Sequence, residues 1–378
     1  MKLLVIGSGM YVRGSKENDH GTIIPGLLES IKKNLVDEIC FVSTQSASSK
    51  DCVRKTLTLA RKLKIKLKKK AIHFYPGKDL KLYQQALKNN DPDAVIVATP
   101  DHTHFEICKH IILKNKNLLV VKPLVPKSIE AKKLIDLSKG RRKIYQVEFH
   151  KRFDEANLIL KKLINEKRLG ALKYCTIEYS QKNIIPKKYF KKWSSKSNSF
   201  QYLGIHYVDL IYYITGYQPK KVWAWEQTGY LKKNKINSPD CVQANIEWRK
   251  GKEKFNSYII TSWIDPNSST STSDQKIHFV GEKLKYFSDQ KNRGVFLTEE
   301  GHRAKHINPY FTNLFHGNEL FFNGYGVKSI INFFDNIKSK KKNLNLLNKT
   351  FYDSLVTTKV IEAVNQSIKF NGKMINIK

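Results

Sequence analysis

The chain has 378 residues, 40% hydrophobic and 11% aromatic, enough apolar side chain for two packed cores and too much for a disordered protein. Its formal net charge is +35, carried by 58 lysines and 10 arginines against 33 acids. No stretch approaches the ~20 apolar residues of a membrane span, and the five dispersed cysteines, without CxxC or Cys/His spacing, exclude a disulfide frame and a zinc site.

The chain starts on an apolar strand with no basic n-region ahead of it, which predicts a cytoplasmic protein with reduced thiols. The basic excess raises the question of a nucleic-acid partner. Its lysine-rich runs, residues 64–70 and 338–342, stand far apart at expected element ends, and no zinc-finger, helix-turn-helix or RNP spacing accompanies them. A solvated lysine surface is expected, with no nucleic acid and no membrane as partner. Attraction for anionic small molecules, phosphorylated cofactors among them, remains.

The opening strand, residues 3–6, runs into Gly7-Ser8-Gly9, and a helix is expected over 21–34. Strand, glycine turn and helix in that order present backbone N–H groups to a dinucleotide pyrophosphate. Continuous Val/Ile/Leu runs at 39–42, 94–98 and 118–121, with weaker strands at 72–75 and 144–149, fit a parallel sheet covered on both faces. Helical segments at 50–63, 80–88, 103–113 and 128–138 separate them, and Thr103 and Glu106 have capping-box spacing. The first domain, residues 1–148, is therefore read as α/β, a doubly wound parallel sheet.

Beyond residue 150 a helix at 155–166 precedes alternating segments at 172–179, 222–225, 242–248, 257–263, 276–280 and 285–287. Turn signals at Lys250-Gly251-Lys252 and Gly281-Glu282 separate several of them. The second domain, residues 149–378, reads as α+β with a mostly antiparallel sheet that keeps one wet face. A polar loop is expected at 267–273, helices at 327–337 and 351–370, and a last strand at 374–377.

Three places can carry chemistry. Thr99-Pro100-Asp101-His102-Thr103-His104 follows the strand ending at Ala98, at the carboxyl edge where open α/β sheets bind ligands. Lys122-Pro123 follows the next strand, and desolvation there would lower the lysine's proton affinity toward neutrality, suiting it to exchange a proton with an alcohol. In a helix over 200–215, Leu203, Tyr207, Leu210 and Ile214 form an apolar stripe, while Tyr202, His206, Asp209 and Tyr213 share another face. A histidine beside a tyrosine and a carboxylate is a candidate acid/base.

In this order Gly7-Ser8-Gly9, Ala98-Thr99-Pro100 with His104, Lys122-Pro123 and Gly204-Ile205-His206-Tyr207-Val208-Asp209 resemble the Gfo/Idh/MocA oxidoreductases. The resemblance implies a Rossmann domain, a second domain with a large open sheet that pairs into a homo-oligomer, and NAD(P)-dependent dehydrogenation of sugars, cyclitols or nucleotide-sugars. It makes Lys122 and His206 catalytic, with Tyr202 a further proton-handling or substrate-orienting group. Gly7, Gly9, Met10, Ser43, Thr44, Thr99, Pro100, His104 and Lys122 would face the cofactor, Tyr202 and Asp209 the substrate, and Arg152 either the substrate or a structural partner. An ammonium from the first domain and an imidazole from the second are thus expected over one nicotinamide ring.

Departures from the family pattern stand out. Val121 occupies the place of the usual glutamate before Lys-Pro, and Tyr202 that of an aspartate four residues before the histidine. The glycine loop is lengthened by residues 10–20, leaving Gly14 and Gly21 as alternatives for its third glycine. These changes leave a non-catalytic, dinucleotide-sensing regulator or scaffold as the alternative reading. Val42-Ser43-Thr44-Gln45-Ser46 offers no acid to a ribose 2′-OH and has Lys50 and Arg54 downstream, which favours NADP, although uncharged groups also hold NAD.

Overall fold

The computed structural model describes residues 1–15, 20–339 and 343–377. Lysines 340–342 of the second basic run and residues 16–19 of the lengthened glycine loop lie outside them. The chain divides into two units, one of Met1–Val125, Ile129–Phe153 and Tyr310–Asp353, the other of Pro126–Ser128, Asp154–Pro309 and Ser354–Lys378.

In the first unit the continuous apolar runs become buried parallel strands: β1 (Lys2–Ile6), β2 (Glu38–Val42), β3 (Ile72–Phe74), β4 (Ala94–Val97), β5 (Asn117–Val121) and β6 (Tyr145–Glu148). They pair in the order β3-β2-β1-β4-β5-β6, the doubly wound arrangement whose switch point falls between β1 and β4. The helices α1 (Met10–Arg13), α2 (Ile23–Lys32), α3 (Ser46–Lys62), α4 (Leu82–Asn90), α5 (His104–Leu113) and α6 (Ser128–Ser138) connect them. The helix expected from residue 21 starts later because Gly21 has φ +67°, outside the right-handed helical region. The expected capping box is not made. A 3-10 turn at Asp101–Thr103 precedes α5, and Thr103 Oγ1 donates to Pro100 O at 2.7 Å instead.

The first unit is not a linear block of sequence. Tyr310–Asp353 returns to it with α10 (Tyr325–Lys338), whose Val327, Ile330, Phe333 and Phe334 join the core formed with α2. Phe322 N donates to Glu29 Oε1 at 2.7 Å, tying the returning chain to α2. Residues 348–350 then cover the sheet edge, since Tyr145 N donates to Asn348 Oδ1 at 2.9 Å and Val147 N to Thr350 Oγ1 at 3.2 Å. Sequence reading placed this segment in the second domain because local patterning carries no record of distant packing.

The second unit opens with α7 (Glu155–Asn165), capped by Asp154, which accepts from Ala156 N. Its sheet contains β7 (Leu172–Lys182), β8 (Gln218–Gln227), β9 (Cys241–Lys250), β10 (Glu253–Asp265), β11 (Ser273–Gly281), β12 (Lys285–Asp289) and β17 (Ile375–Asn376), in the order β12-β11-β7-β10-β9-β8-β17. All its pairs are antiparallel except β7 with β10. Strict alternation along β10 buries Phe255, Ser257, Ile259, Thr261 and Trp263 and exposes Tyr258 and Ile260, as expected of a sheet with one wet face. Two hairpins escaped the sequence reading, β13 (Val295–Leu297) with β14 (Lys305–Ile307) and β15 (Asn313–His316) with β16 (Leu320–Asn323). The polar loop at 267–273 is held to the first of them, where Arg303 Nη1 donates to Asn267 O at 2.7 Å. The short helices α9 (Tyr230–Lys233) and α11 (Leu344–Leu347) lie in connections, the long α12 (Lys349–Lys369) closes the chain ahead of β17, and among the described residues no helix is long and apolar enough to cross a membrane.

Gly26 of α2 lies directly against the returning helix. A Cβ there would sit 2.6 Å from Ile330 Cβ, a branched atom with no freedom to swing aside. Gly26→Ala is expected to destabilise the protein by about 1–3 kcal/mol through overpacking, against a helix-propensity gain of about 1 kcal/mol. Chemical denaturation measures it, and a stabilised variant would mean that α2 and α10 are not in contact.

Candidate functional site

The glycine loop is shaped by its neighbours. Gly7 has φ +112° and donates to Val42 O at 2.8 Å, and a Cβ on it would lie 2.1 Å from Ala98 O. No side chain fits between β1 and β4 at that point. Gly9 is the opposite case, with nothing within 4 Å of where its Cβ would be, so its backbone is open to a ligand. Gly14 and Gly21, the two alternatives for the third glycine, lie close together, for a Cβ on Gly21 would be 2.6 Å from Gly14 N. A tight first glycine followed by an approachable second one suits a dinucleotide pyrophosphate.

At the end of β2, Ser43 Oγ donates to Gln45 O at 2.8 Å and lies 2.8 Å from Ser49 Oγ, while Thr44 is exposed. Asp51 stands between two cations here, 2.8 Å from Arg13 Nη1 and 3.0 Å from Arg54 Nη2. Sequence reading counted Arg54 toward a 2′-phosphate and missed both Arg13 and the neutralising Asp51.

Lys122 follows β5 at the carboxyl edge and is 6% exposed. Burial lowers its proton affinity to about 7, although the charges of Glu148 and Asp101 pull the other way. The Lys122–Pro123 bond is cis. His104 joins this turn to the one after β4: its Nδ1 lies 2.8 Å from Pro123 O and its Nε2 2.9 Å from Thr99 O. Burial pushes the imidazole's proton affinity down, more than Asp101 and the carbonyls raise it, so the neutral ring donates to one carbonyl at a time. His104, expected to touch the cofactor, is buried and bridges the carbonyls of Thr99 and Pro123.

Arg152 is also committed elsewhere. Its Nη2 lies 3.0 Å from Asp353 Oδ2, with both side chains buried, and Lys349 Nζ holds the other carboxylate oxygen at 3.1 Å. This ion pair favours a structural contact over the expected substrate contact.

In the second unit the helix expected over 200–215 starts with a π turn, Phe200–Gly204, before α8 (Ile205–Thr215). The wider turn breaks the 3.6-residue spacing that put Tyr202 in line with His206. Tyr202 packs instead in an aromatic group, its ring 4.8 Å from Phe190, 5.7 Å from Trp193 and 6.0 Å from Trp263. His206 is 3% exposed and Asp209 fully buried, with the His206 ring 6.2 Å from Tyr179. Tyr213 lies under Lys161 of α7, whose Nζ is 3.5 Å from the ring centroid. The four residues therefore do not form one open polar face; the helix is enclosed on nearly every side.

Sequence reading missed a buried polar group in the first unit: Glu148 at the end of β6, His150, Tyr11 and Ser329. Ser329 Oγ donates to Glu148 Oε1 at 2.6 Å, and His150 Nδ1 lies 3.1 Å from Glu148 Oε2 and 3.2 Å from Tyr11 OH. A glutamate at the end of a strand expected to be buried, Tyr145-Gln146-Val147-Glu148, was the available signal.

A family model for the NAD-binding Rossmann fold of an oxidoreductase family matches residues 1–149, and one for that family's C-terminal alpha/beta domain matches residues 161–374. The uncharacterized oxidoreductase YhhX of Escherichia coli is 31% identical over 159 residues, 42% of this chain and 44% of its own length. An inositol 2-dehydrogenase of Pseudarthrobacter chlorophenolicus is 36% identical over 91 residues, 24% of this chain and 27% of its own. The chain thus spans less than half the length of these curated relatives. Among solved structures, GenD2 from gentamicin A biosynthesis in complex with NAD superposes with TM-score 0.73 at 15% identity, covering 100% of this chain and 96% of its own. Scyllo-inositol dehydrogenase from Lactobacillus casei, with bound NAD(H) and scyllo-inositol, gives 0.68 at 14% identity over 100% and 98%. These structures share the fold, and the matching models on both halves identify its lineage: the chain belongs to the Gfo/Idh/MocA oxidoreductase family.

Proposed function

We propose that the protein is an NAD(P)-dependent oxidoreductase that moves a hydride between nicotinamide and a carbinol or keto carbon of a sugar, cyclitol or nucleotide-sugar. The observation that carries this reading is Lys122, an ammonium buried at the carboxyl edge of a Rossmann sheet with proton affinity near neutrality. Gly7 and the open Gly9 backbone would hold the pyrophosphate, Ser43 and Thr44 the ribose, and Thr99 and Pro100 the nicotinamide side. Arg13 and Arg54 share Asp51, so part of the positive charge at the end of β2 is already paired, and both NAD and NADP are to be tested.

When bound, nicotinamide supplies the hydride acceptor or donor at C4. Lys122 bonds to the reacting oxygen through its free amine and relays that oxygen's single proton to His206 during oxidation. His206 takes a proton during oxidation and returns one during reduction, with Asp209 buried about one turn further along the same helix. Five cysteines, all free, suit a reducing, cytoplasmic setting. The wet sheet face carries Tyr174, Trp225, Tyr258, Ile260 and Phe287, all more than a third exposed, which supports a homo-oligomer formed through that face.

Three measurements test this reading. A screen of free sugars, cyclitols and nucleotide-sugars with both cofactors should give nicotinamide absorbance changes; cofactor binding without turnover on any of them would favour the regulator instead. Lys122→Met and His206→Asn should each lower kcat about 10²–10⁴-fold, and the oxidation rate should rise with pH through about 7 as the Lys122 amine becomes free to accept a proton. Loss of that limb in Lys122→Met is required. Tyr258→Asp with Ile260→Asp should yield monomers by light scattering, and an unchanged mass would remove the sheet face as the interface.

A further inference from the structure

Glu148 has no part in the proton transfers assigned above, yet it is 2% exposed at the end of β6. The parallel register sets it opposite Val121, the residue directly before Lys122. A buried carboxylate persists only where hydrogen bonds or opposite charge replace its water. Here both oxygens are served: Ser329 of α10 donates to Oε1 at 2.6 Å, and His150 Nδ1 lies 3.1 Å from Oε2. His150 is itself fixed in a ring stack, 6.1 Å from Tyr11 at 25° and 5.6 Å from Tyr325 at 20°.

Burial alone would raise the Glu148 carboxyl. The charge of His150 and hydrogen bonds from His150, Ser329 and Tyr11 outweigh it and hold the group below its ordinary value. Glu148 is therefore an anion at neutral pH, and its charge is the larger of two acidic influences on Lys122, the other being Asp101. His104, against Pro123 O, is the neighbouring imidazole and stays neutral through burial.

We propose that Glu148 is the positioning residue for Lys122: a fixed, buried anion, braced by Ser329 and His150, that keeps the lysine nitrogen able to carry a proton where Val121 offers no carboxylate. It acts through Lys122 and touches neither substrate nor cofactor. Its consequence for catalysis rests on the role given to Lys122 above, but the coupling between the two side chains can be read without turnover.

The test is trace labelling of the full chain with acetic anhydride across pH, with the Lys122 peptide quantified by mass spectrometry. The labelling midpoint of the unaltered protein is expected near 7. Glu148→Gln removes the attraction, so the ammonium should lose its proton at lower pH, with the midpoint falling by about one unit or more. Glu148→Asp, which retracts the charge by one methylene, should shift it less in the same direction and serves where the glutamine variant does not fold. Adding Val121→Glu to Glu148→Gln should bring the midpoint back up, which a packing role would not do. An unchanged midpoint in folded Glu148→Gln or Glu148→Asp, or no recovery in the double variant, overturns the proposal. Because labelling needs neither substrate nor cofactor, a failed substrate screen leaves this result standing, and a flat labelling result leaves the dehydrogenase reading standing.

Discussion

An ammonium withdrawn from water at the end of β5 sets the terms for much of the first unit. Burial disfavours the charged form of Lys122, and the acids that offset it come from other elements, Asp101 from the turn after β4 and Glu148 from β6. Those acids are buried too and need partners of their own. Asp101 accepts from His102 N at 2.8 Å, and Glu148 is served by Ser329 and His150. The desolvated cation thus belongs to a buried polar network within the α/β unit. The outcome is a lysine balanced between protonation states near neutrality, the condition general acid–base chemistry needs.

The network depends on a stretch of chain far away in sequence. Ser329 and Tyr325 belong to α10, which reaches the site because Gly26 lets it pack directly on α2. The same returning segment seals the β6 edge through Asn348 and Thr350 and pairs Asp353 with Arg152. It completes the hydrophobic core and braces the functional edge with the same packing.

In the second unit, enclosure governs instead. α8 is lined by buried residues, His206 and Asp209 included, so its histidine sits in a low-dielectric setting shaped by Tyr179 and the underlying sheet. The π turn before it swings Tyr202 into the Phe190, Trp193 and Trp263 group, where its ring works as packing surface. The opposite face of the sheet is left to solvent, with Tyr258, Ile260 and Phe287 exposed on it.

Much of this was legible in the residues themselves. Runs such as Val95-Ile96-Val97 and Leu118-Leu119-Val120 specify buried parallel strands because period and side-chain type are local properties, and Gly7-Ser8-Gly9 and Lys122-Pro123 mark the carboxyl edge by their place after those strands. Tertiary structure decided what depends on partners distant in sequence. It turned His104 into a brace between two carbonyls, engaged Arg152 with Asp353, set Asp51 between two arginines and brought Glu148 into play beside Lys122. Periodicity records which face of an element is apolar; the charge state and employment of a buried polar group follow from what packs against it, and that is written only in three dimensions.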